Sequence, residues 1–175
     1  MRNVVVKLFI VSIIFLLISC SSRETDNQFN LEIIVEPEFN TSVSKISIPK
    51  IKFGKKYKVD DLPRSIAVSR AIFDKKDIEI REYSSHQDAI DYGEKYASSV
   101  VGKDAIVSGS DILWKEGAKD RRKCVPRAGN SEAGCDQKPR FGGYMILGNL
   151  IILCEGLSQQ ESLELCYSFK NSLVP

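Results

Sequence analysis

Two apolar runs near the C-terminus form the clearest pattern along the chain. Residues 144–147 read Tyr-Met-Ile-Leu, residues 150–154 read Leu-Ile-Ile-Leu-Cys, and Gly148-Asn149 separates them. A two-residue turn of this kind between apolar runs is typical of a tight β-hairpin. Both faces of this hairpin are apolar, so we expect it in the middle of a sheet, covered by helices on both sides or by helices and a partner. The turn predicts three facing pairs: Leu147 with Leu150, Met145 with Ile152, and Gly143 with Cys154.

Alternating and helical periodicities predict the elements on either side of the hairpin. Residues 78–83 alternate apolar and polar positions, which is typical of a strand. The serines that follow offer capping boxes for an amphipathic helix over residues 85–101. A second helix is expected over residues 158–173, with Cys166 on its apolar stripe.

A lysine-rich segment precedes these elements. Residues 31–59 are rich in strand-forming residues, and from Lys50 to Lys58 the lysines fall mostly on one parity. We interpret them as one lysine face of a half-buried strand, which pairs with Glu32 and Glu36 and protects a sheet edge. A contact with anionic lipid or with the cell wall is the alternative.

Local sequence patterns predict helices in two further segments. Residues 60–73 fit both helical and alternating spacing, and we favour a helix there. Residues 110–123 begin with Ser110 as a potential N-cap and end in basic residues, which suits a helix terminus. Trp114, the only tryptophan, is expected to anchor the core.

Together these elements predict one α+β domain over residues 31–175. We expect a mostly antiparallel sheet, covered by two or three helices and stabilised by disulfides. The order of elements is compatible with a ferredoxin-like layout in which a strand is missing or replaced. Such a likeness of topology would not define the function.

The N-terminus has the features of an export signal. A charged start and an apolar run from Leu8 to Ile18 precede Cys20, which is typical of a secretory signal peptide. The run is shorter than the roughly 20 residues that span a hydrocarbon core. Leu17-Ile18-Ser19-Cys20 resembles the lipobox of bacterial lipoproteins, in which the cysteine is diacylated and becomes the mature N-terminus.

The resemblance implies three parts of the chain. Residues 1–19 would be the signal peptide, residues 20–30 a lipid-anchored polar tether, and the domain would follow. Lipid on Cys20 implies a membrane as partner and places the protein on the exported side of the cell membrane or the outer membrane, with Ser21 compatible with outer-membrane sorting. An uncleaved signal anchor and ordinary secretion are the alternatives.

Export also places the other four cysteines in a non-reducing compartment, where an even number predicts two disulfides. Three pairings are possible. We favour Cys124 with Cys135, which close a short loop containing proline and glycine. We also favour Cys154 with Cys166, because a helix packed antiparallel on the hairpin would bring them together. The spacings contain no CxxC motif, so we expect neither a metal site nor a redox-active pair.

Charge excludes one class of partner and points to one local site. The 175 residues include 25 Lys and Arg against 23 Asp and Glu. The leader carries two basic residues and no acidic one, so the mature chain is formally neutral, and we expect no nucleic-acid partner. Arg121, Arg122 and Lys123 lie in the most basic region and are candidate anion-binding residues; a solvated helix end is the alternative.

No catalytic signature accompanies these features. His86 is the only histidine and falls in a predicted first helical turn, and no nucleophile elbow, phosphate-binding loop or dinucleotide fingerprint is present. We therefore predict no catalytic residue and no cofactor, and interpret the domain as a non-catalytic envelope module that binds a protein, a glycan or a small ligand, or serves assembly. The alternative is an envelope hydrolase whose carboxylates converge only in three dimensions.

Overall fold

A six-stranded sheet forms the centre of the domain in the computed structural model, which describes residues 32–124 and 135–174. The strands are β1 (Ile34–Val35), β2 (Ile51–Tyr57), β3 (Ser65–Phe73), β4 (Lys76–Tyr83), β5 (Arg122–Cys124), β6 (Cys135–Pro139), β7 (Phe141–Leu147) and β8 (Leu150–Glu155). The sheet order is β1-β7-β8-β4-β3-β2, and all neighbours are antiparallel except β1 with β7. Strands β5 and β6 form a separate ribbon. This is the predicted α+β architecture with a mostly antiparallel sheet.

The predicted hairpin is confirmed, and it lies in the interior of the sheet. Its three facing pairs have the predicted register. Gly148 takes a φ of 53° at the turn, which suits glycine. The buried Asn149 donates hydrogen bonds from its amide to the carbonyl oxygens of Thr41 and Tyr83, at 3.0 and 2.9 Å. The turn therefore ties the N-terminal segment and β4 to the hairpin.

The two helices predicted around the hairpin are also confirmed. The first consists of α1 (His86–Asp88), a π-helical turn (Ala89–Gly93) and α2 (Glu94–Ser98), so it ends a few residues earlier than expected. The second is α3 (Gln159–Leu173). Each begins with a serine cap: the Asp88 N–H donates to Ser85 Oγ at 3.0 Å, and the Glu161 N–H donates to Ser158 Oγ at 3.1 Å.

The helices cover opposite faces of the hairpin. Alternate side chains of β7 and β8 therefore enter two different cores, which explains why both runs are apolar throughout. The core under α3 contains Met145, Leu147, Ile152, Leu165 and Phe169. The core on the other face contains Tyr144, Ile146, Leu153, Ala89 and Ala97.

One of the two predicted disulfides is confirmed. Cys154 on β8 and Cys166 on α3 are bonded, their Cα atoms lie 5.8 Å apart, and both residues are fully buried. The backbones of Cys124 and Cys135 face each other in the β5–β6 ribbon. Their side chains and residues 125–134 lie outside the described part of the chain, so that pairing stays a prediction.

Two other predicted helices are wrong. Residues 60–73 form a turn followed by β3, because this segment pairs with β2 on one side and β4 on the other, and sheet pairing outweighs ambiguous local spacing. Residues 110–123 form successive turns that end in β5. Trp114 is nevertheless buried, as expected of a core anchor.

The single lysine face is also wrong. β2 is an edge strand, as lysines suggest, but a register shift between Phe53 and Lys56 reverses its side-chain alternation. Phe53 consequently packs on the α3 side, whereas Tyr57 packs with Trp114 on the other.

The predicted pairing of these lysines with acidic residues near β1 fails for a topological reason. β1 lies at one edge of the sheet and β2 at the other. Glu36 instead forms an ion pair with Lys170 of α3, at 3.0 Å.

The ferredoxin-like layout is not adopted. That layout alternates helices and strands as β-α-β-β-α-β. Here β2, β3 and β4 form a continuous antiparallel meander before the first helix, and the hairpin β7–β8 then adds beside β4.

Candidate functional site

Charged residues of β4 lie inside the domain. Ile78 and Ile80 face the core under α3, so the alternation of the strand turns Glu79 and Arg81 to the opposite face. Because β4 lies between β8 and β3, these side chains cannot reach water at a sheet edge. Their side chains are 1% and 0% exposed.

A third charged residue joins them from a distant segment. Arg121, which lies 42 residues after Glu79, donates from Nε to Glu79 Oε2 at 2.9 Å. Arg81 donates from Nε to Glu79 Oε1 at 2.8 Å. The carboxylate is thus held between two buried guanidinium groups, and the three side chains carry one formal positive charge.

Trp114 covers this group. Its ring centroid lies 4.2 Å from the Arg121 Cζ and 5.3 Å from the Arg81 Cζ, within the range of cation–π contacts. Arg121 also donates from Nη1 to the carbonyl oxygens of Trp114 and Glu116, at 3.3 and 2.9 Å. We call Glu79, Arg81, Arg121 and Trp114 the Glu79 cluster.

The electrostatics of the Glu79 cluster favour ionised partners. Burial by itself would raise the pKa of Glu79, but the charges and hydrogen bonds of Arg81 and Arg121 outweigh it and hold this pKa below its usual value. Burial lowers the pKa of Arg121, against the opposing effect of Glu79. Burial raises the pKa of the nearby Tyr83 to about 12.

A second set of ion pairs lies at the rim of the cluster. Arg70 Nε and a guanidinium nitrogen of Arg140 both donate to Asp77, the former at 2.7 Å. Tyr57 donates its hydroxyl hydrogen to Asp120 at 3.0 Å, and Lys55 Nζ lies 3.3 Å from the same carboxylate. Burial would raise the pKa of Asp120, but these two donors outweigh it and lower the pKa.

The ion pairs bear on the acid–base chemistry that these carboxylates can perform. A general acid in a hydrolase needs a carboxyl group whose pKa is raised, so that it holds a proton near neutral pH. The carboxylates that the fold brings together here, Asp77, Glu79 and Asp120, are each bound by cations, and the pKa values of Glu79 and Asp120 are lowered. At these three carboxylates the geometry therefore favours fixed negative charge over proton transfer.

The structure separates the three predicted anion-binding residues. Arg121 is buried and binds an internal carboxylate, Glu79. Arg122 is half-buried and accepts a hydrogen bond from Arg140 at its carbonyl oxygen, at 3.1 Å. Lys123 Nζ lies 3.8 Å from Glu155 on the β8 strand. They do not converge on one surface.

The remaining predicted positions have simple placements. His86 is half-buried at the start of α1 and donates from Nδ1 to the carbonyl oxygen of Gly148, at 2.9 Å. Cys20 lies outside the described residues. Within residues 32–124 and 135–174, no three His, Cys, Asp or Glu side chains come together as metal ligands.

Two of the half-open surface cavities formed by the described residues are large enough for a ligand. The first, which we call the Leu157 groove, has a volume of about 540 Å³. Leu157 is 83% exposed. Because β1 pairs only with the end of β7, Gly143 and Tyr144 have β8 on one side and no strand on the other. The Leu157 groove is lined by Ile33, Ser98, Val101, Gly102, Lys103, Asp104, Gly142, Gly143, Tyr144, Leu157, Ser158 and Gln159.

The second cavity, which we call the Ile66 groove, has a volume of about 530 Å³. It lies between the 3₁₀ turn Val43–Lys45 and strands β2 and β3. Glu82 reaches it from β4, where its carboxylate accepts from the Val43 N–H at 2.8 Å. Both volumes are within the usual range of ligand sites.

The Glu79 cluster is not predicted from the sequence, because the alternation of residues 78–83 indicates a strand but not its position in the sheet. A signal was present: Glu79 and Arg81 carry opposite charges two positions apart, and side chains at that spacing share one face. Such a pair can be buried if the strand is central, but only the strand order places β4 there.

Fold and cluster together define an α+β domain with an internal arginine–carboxylate–arginine group. A family model described as "Family of unknown function (DUF6810)" matches residues 42–175, and the chain belongs to this family. Comparisons with curated proteins and with solved structures gave no match. In the described part of the chain, no helix has the length and apolar character needed to cross a membrane.

Proposed function

We propose that this protein is an envelope lipoprotein, anchored by lipid on Cys20, whose domain acts as a non-catalytic binding or assembly module on the exported side of the membrane. The observation that carries the proposal is the order of parts along the chain. The sequence that resembles a lipobox ends at Cys20, ten polar-rich residues follow, and a compact unit begins at Leu31.

The physics of anchoring supports this order. Each buried CH₂ group contributes about 0.8 kcal/mol, and stable residence on a bilayer needs two membrane-binding signals, such as two acyl chains. A diacylated cysteine provides two chains at one position. The domain itself then needs no apolar membrane-spanning segment.

Incorporation of labelled fatty acid tests the anchor. Wild-type protein should take up the label, Cys20→Ala should not, and Ser21→Ala should behave as the wild type, because only the thiol of Cys20 can receive the lipid. Equal labelling of Cys20→Ala and the wild type would refute the anchor.

The Leu157 groove is the surface that best suits the binding role. Leu157 exposes a large apolar side chain in a groove that borders the part of β7 beside which β1 does not extend. A half-open groove that combines an exposed apolar side chain with polar side chains such as Lys103 and Asp104 can bind a ligand or a peptide with both polar and apolar groups. A protein, a glycan or a small ligand remains the proposed class of partner.

A matched pair of variants tests this surface. Leu157→Glu places a charge in the groove, whereas Leu113→Glu changes a leucine that is 42% exposed and lines neither cavity. Partners captured from the native envelope by the wild type should be lost with Leu157→Glu and retained with Leu113→Glu. Unchanged capture by both variants would exclude the Leu157 groove as the binding surface.

A further inference from the structure

The Glu79 cluster contains hydrogen-bond donors that lack acceptors. Among the described residues, three buried donors here have no hydrogen-bond partner: Arg81 Nη1, Trp114 Nε1 and Arg121 Nη2. Arg81 Nη2 also lacks hydrogen-bond geometry, although it lies 2.8 Å from Glu79 Oε1. Buried polar groups in folded proteins are nearly always satisfied by protein, water or an ion. The shortage here is of acceptors.

The cluster lacks negative charge as well as acceptors. Arg81 and Arg121 bring two positive charges, and Glu79 brings one negative charge. The two carboxylates at the rim of the cluster already have their own cations: Asp77 is bound by two arginines, and Asp120 pairs with Lys55. Asp120 also accepts a hydrogen bond from Tyr57. The Trp114 ring offsets part of the excess through its π face, but it leaves a net positive charge in the interior.

We propose that a small monovalent anion of halide size occupies the Glu79 cluster, held by the guanidinium groups of Arg81 and Arg121 and the indole N–H of Trp114. An anion accepts several hydrogen bonds and donates none, which matches the unpaired donors. A water molecule would bring two hydrogens of its own and would leave the charge uncompensated. The unpaired donor atoms are all buried, so the site can hold only a small ion. This proposal does not depend on the lipid anchor.

Trp114 offers a direct probe of the site because it is the only tryptophan. Bromide quenches indole fluorescence on contact, and a tryptophan that is 3% exposed is protected from collisions in solvent. The full chain, purified in detergent, is titrated with bromide at fixed ionic strength, with gluconate as the replaced anion. We expect quenching that saturates, and chloride should compete with it.

Variants separate binding at the site from a general salt effect. Arg121→Met should weaken bromide binding by roughly tenfold or more, because it removes a charge-assisted donor. Lys119→Met is the matched control, since Lys119 is exposed and lies two positions away. It should leave the titration unchanged. If Arg121→Met does not fold, Arg121→Lys keeps the positive charge and removes the unpaired Nη2 donor, and it should weaken binding several-fold.

Two results would overturn the proposal. One is the absence of saturable quenching in the wild type, which would indicate water or nothing at the site. The other is identical quenching in the wild type, Arg121→Lys and Arg121→Met, which would indicate contact from bulk solvent.

Discussion

Glu79→Gln is the substitution that probes the interior of the domain most sharply. It keeps the shape of the side chain and removes the only negative charge between Arg81 and Arg121. An amide oxygen can still accept from one guanidinium group, but its NH₂ group then faces the other arginine. Two buried guanidinium groups would remain without a counter-charge from the protein.

The expected cost is large for a single substitution. Glu79 and both arginines have side chains that are at most 1% exposed, so solvent cannot replace the lost interaction. Removal of one partner from a buried ion pair typically costs about 3–5 kcal/mol, against a total stability of about 5–15 kcal/mol for a domain. Asp120→Asn is the matched control. Its carboxylate is 28% exposed, and we expect a cost of at most about 1 kcal/mol.

Urea unfolding as a function of pH provides the assay. The pKa of Glu79 is lowered in the folded state from an ordinary value near 4.5. Its contribution is therefore fully present above that value and is lost as pH falls through the lowered folded pKa. The difference in stability between the wild type and Glu79→Gln should be constant around neutral pH and should shrink in acid below about pH 4.5.

A second variant distinguishes loss of charge balance from loss of packing. Replacement of all three charged residues by apolar ones, as Glu79→Leu with Arg81→Met and Arg121→Met, should cost less than Glu79→Gln alone, because no unpaired charge remains. The reasoning would be refuted if Glu79→Gln cost under about 1 kcal/mol. It would equally be refuted if the triple variant were the less stable of the two.

Three further substitutions test the packing and turns of the domain. Replacement of Cys154 and Cys166 by alanine removes a disulfide across a sequence separation of 12 and should lower the stability by about 3 kcal/mol. In a thermal melt this corresponds to a fall of about 8 °C in Tm, and an unchanged Tm would contradict the prediction. Gly93→Ala should lower the free energy of unfolding by about 1–3 kcal/mol in urea, because the added Cβ would lie 2.5 Å from the Tyr83 ring and from Ile151. As a control, Lys95→Ala changes an exposed residue and should alter this free energy by no more than about 0.5 kcal/mol. Lys75→Gly should stabilise by about 0.5–1 kcal/mol, because Lys75 has a φ of 68° in the two-residue turn between β3 and β4; a loss of stability would show that this turn has no strain to relieve.

The elements that sequence patterns predicted well are those defined by neighbouring residues. Gly148-Asn149 and the apolar runs beside it specify the turn, the register and the burial of the hairpin together. Ser85 and Ser158 mark the helix starts, because the side chain of each accepts a hydrogen bond from the backbone N–H three residues later. The disulfide between Cys154 and Cys166 is predictable because a helix packed antiparallel on the hairpin brings these two residues together.

The elements that were missed depend on distant contacts. β3 fits both helical and alternating spacing, and its pairing with β2 and β4 decides between them. The segment before β5 lacks regular structure, yet it places Arg121 against Glu79 and Trp114 over both arginines. A basic run at that position resembles a solvated helix end, and only the central position of β4 in the sheet explains why Arg121 is buried.

The N-terminal peptide of the mature protein tests the proposed lipoprotein most directly. Trypsin should release Cys20-Ser21-Ser22-Arg23 from the protein extracted from its native membrane, because Arg23 is the first basic residue after Cys20. The account predicts, by mass spectrometry, a diacylglyceryl group on the sulfur of Cys20 and no peptide from residues 1–19. An unmodified Cys20, or a mature chain that still begins at Met1, would contradict it.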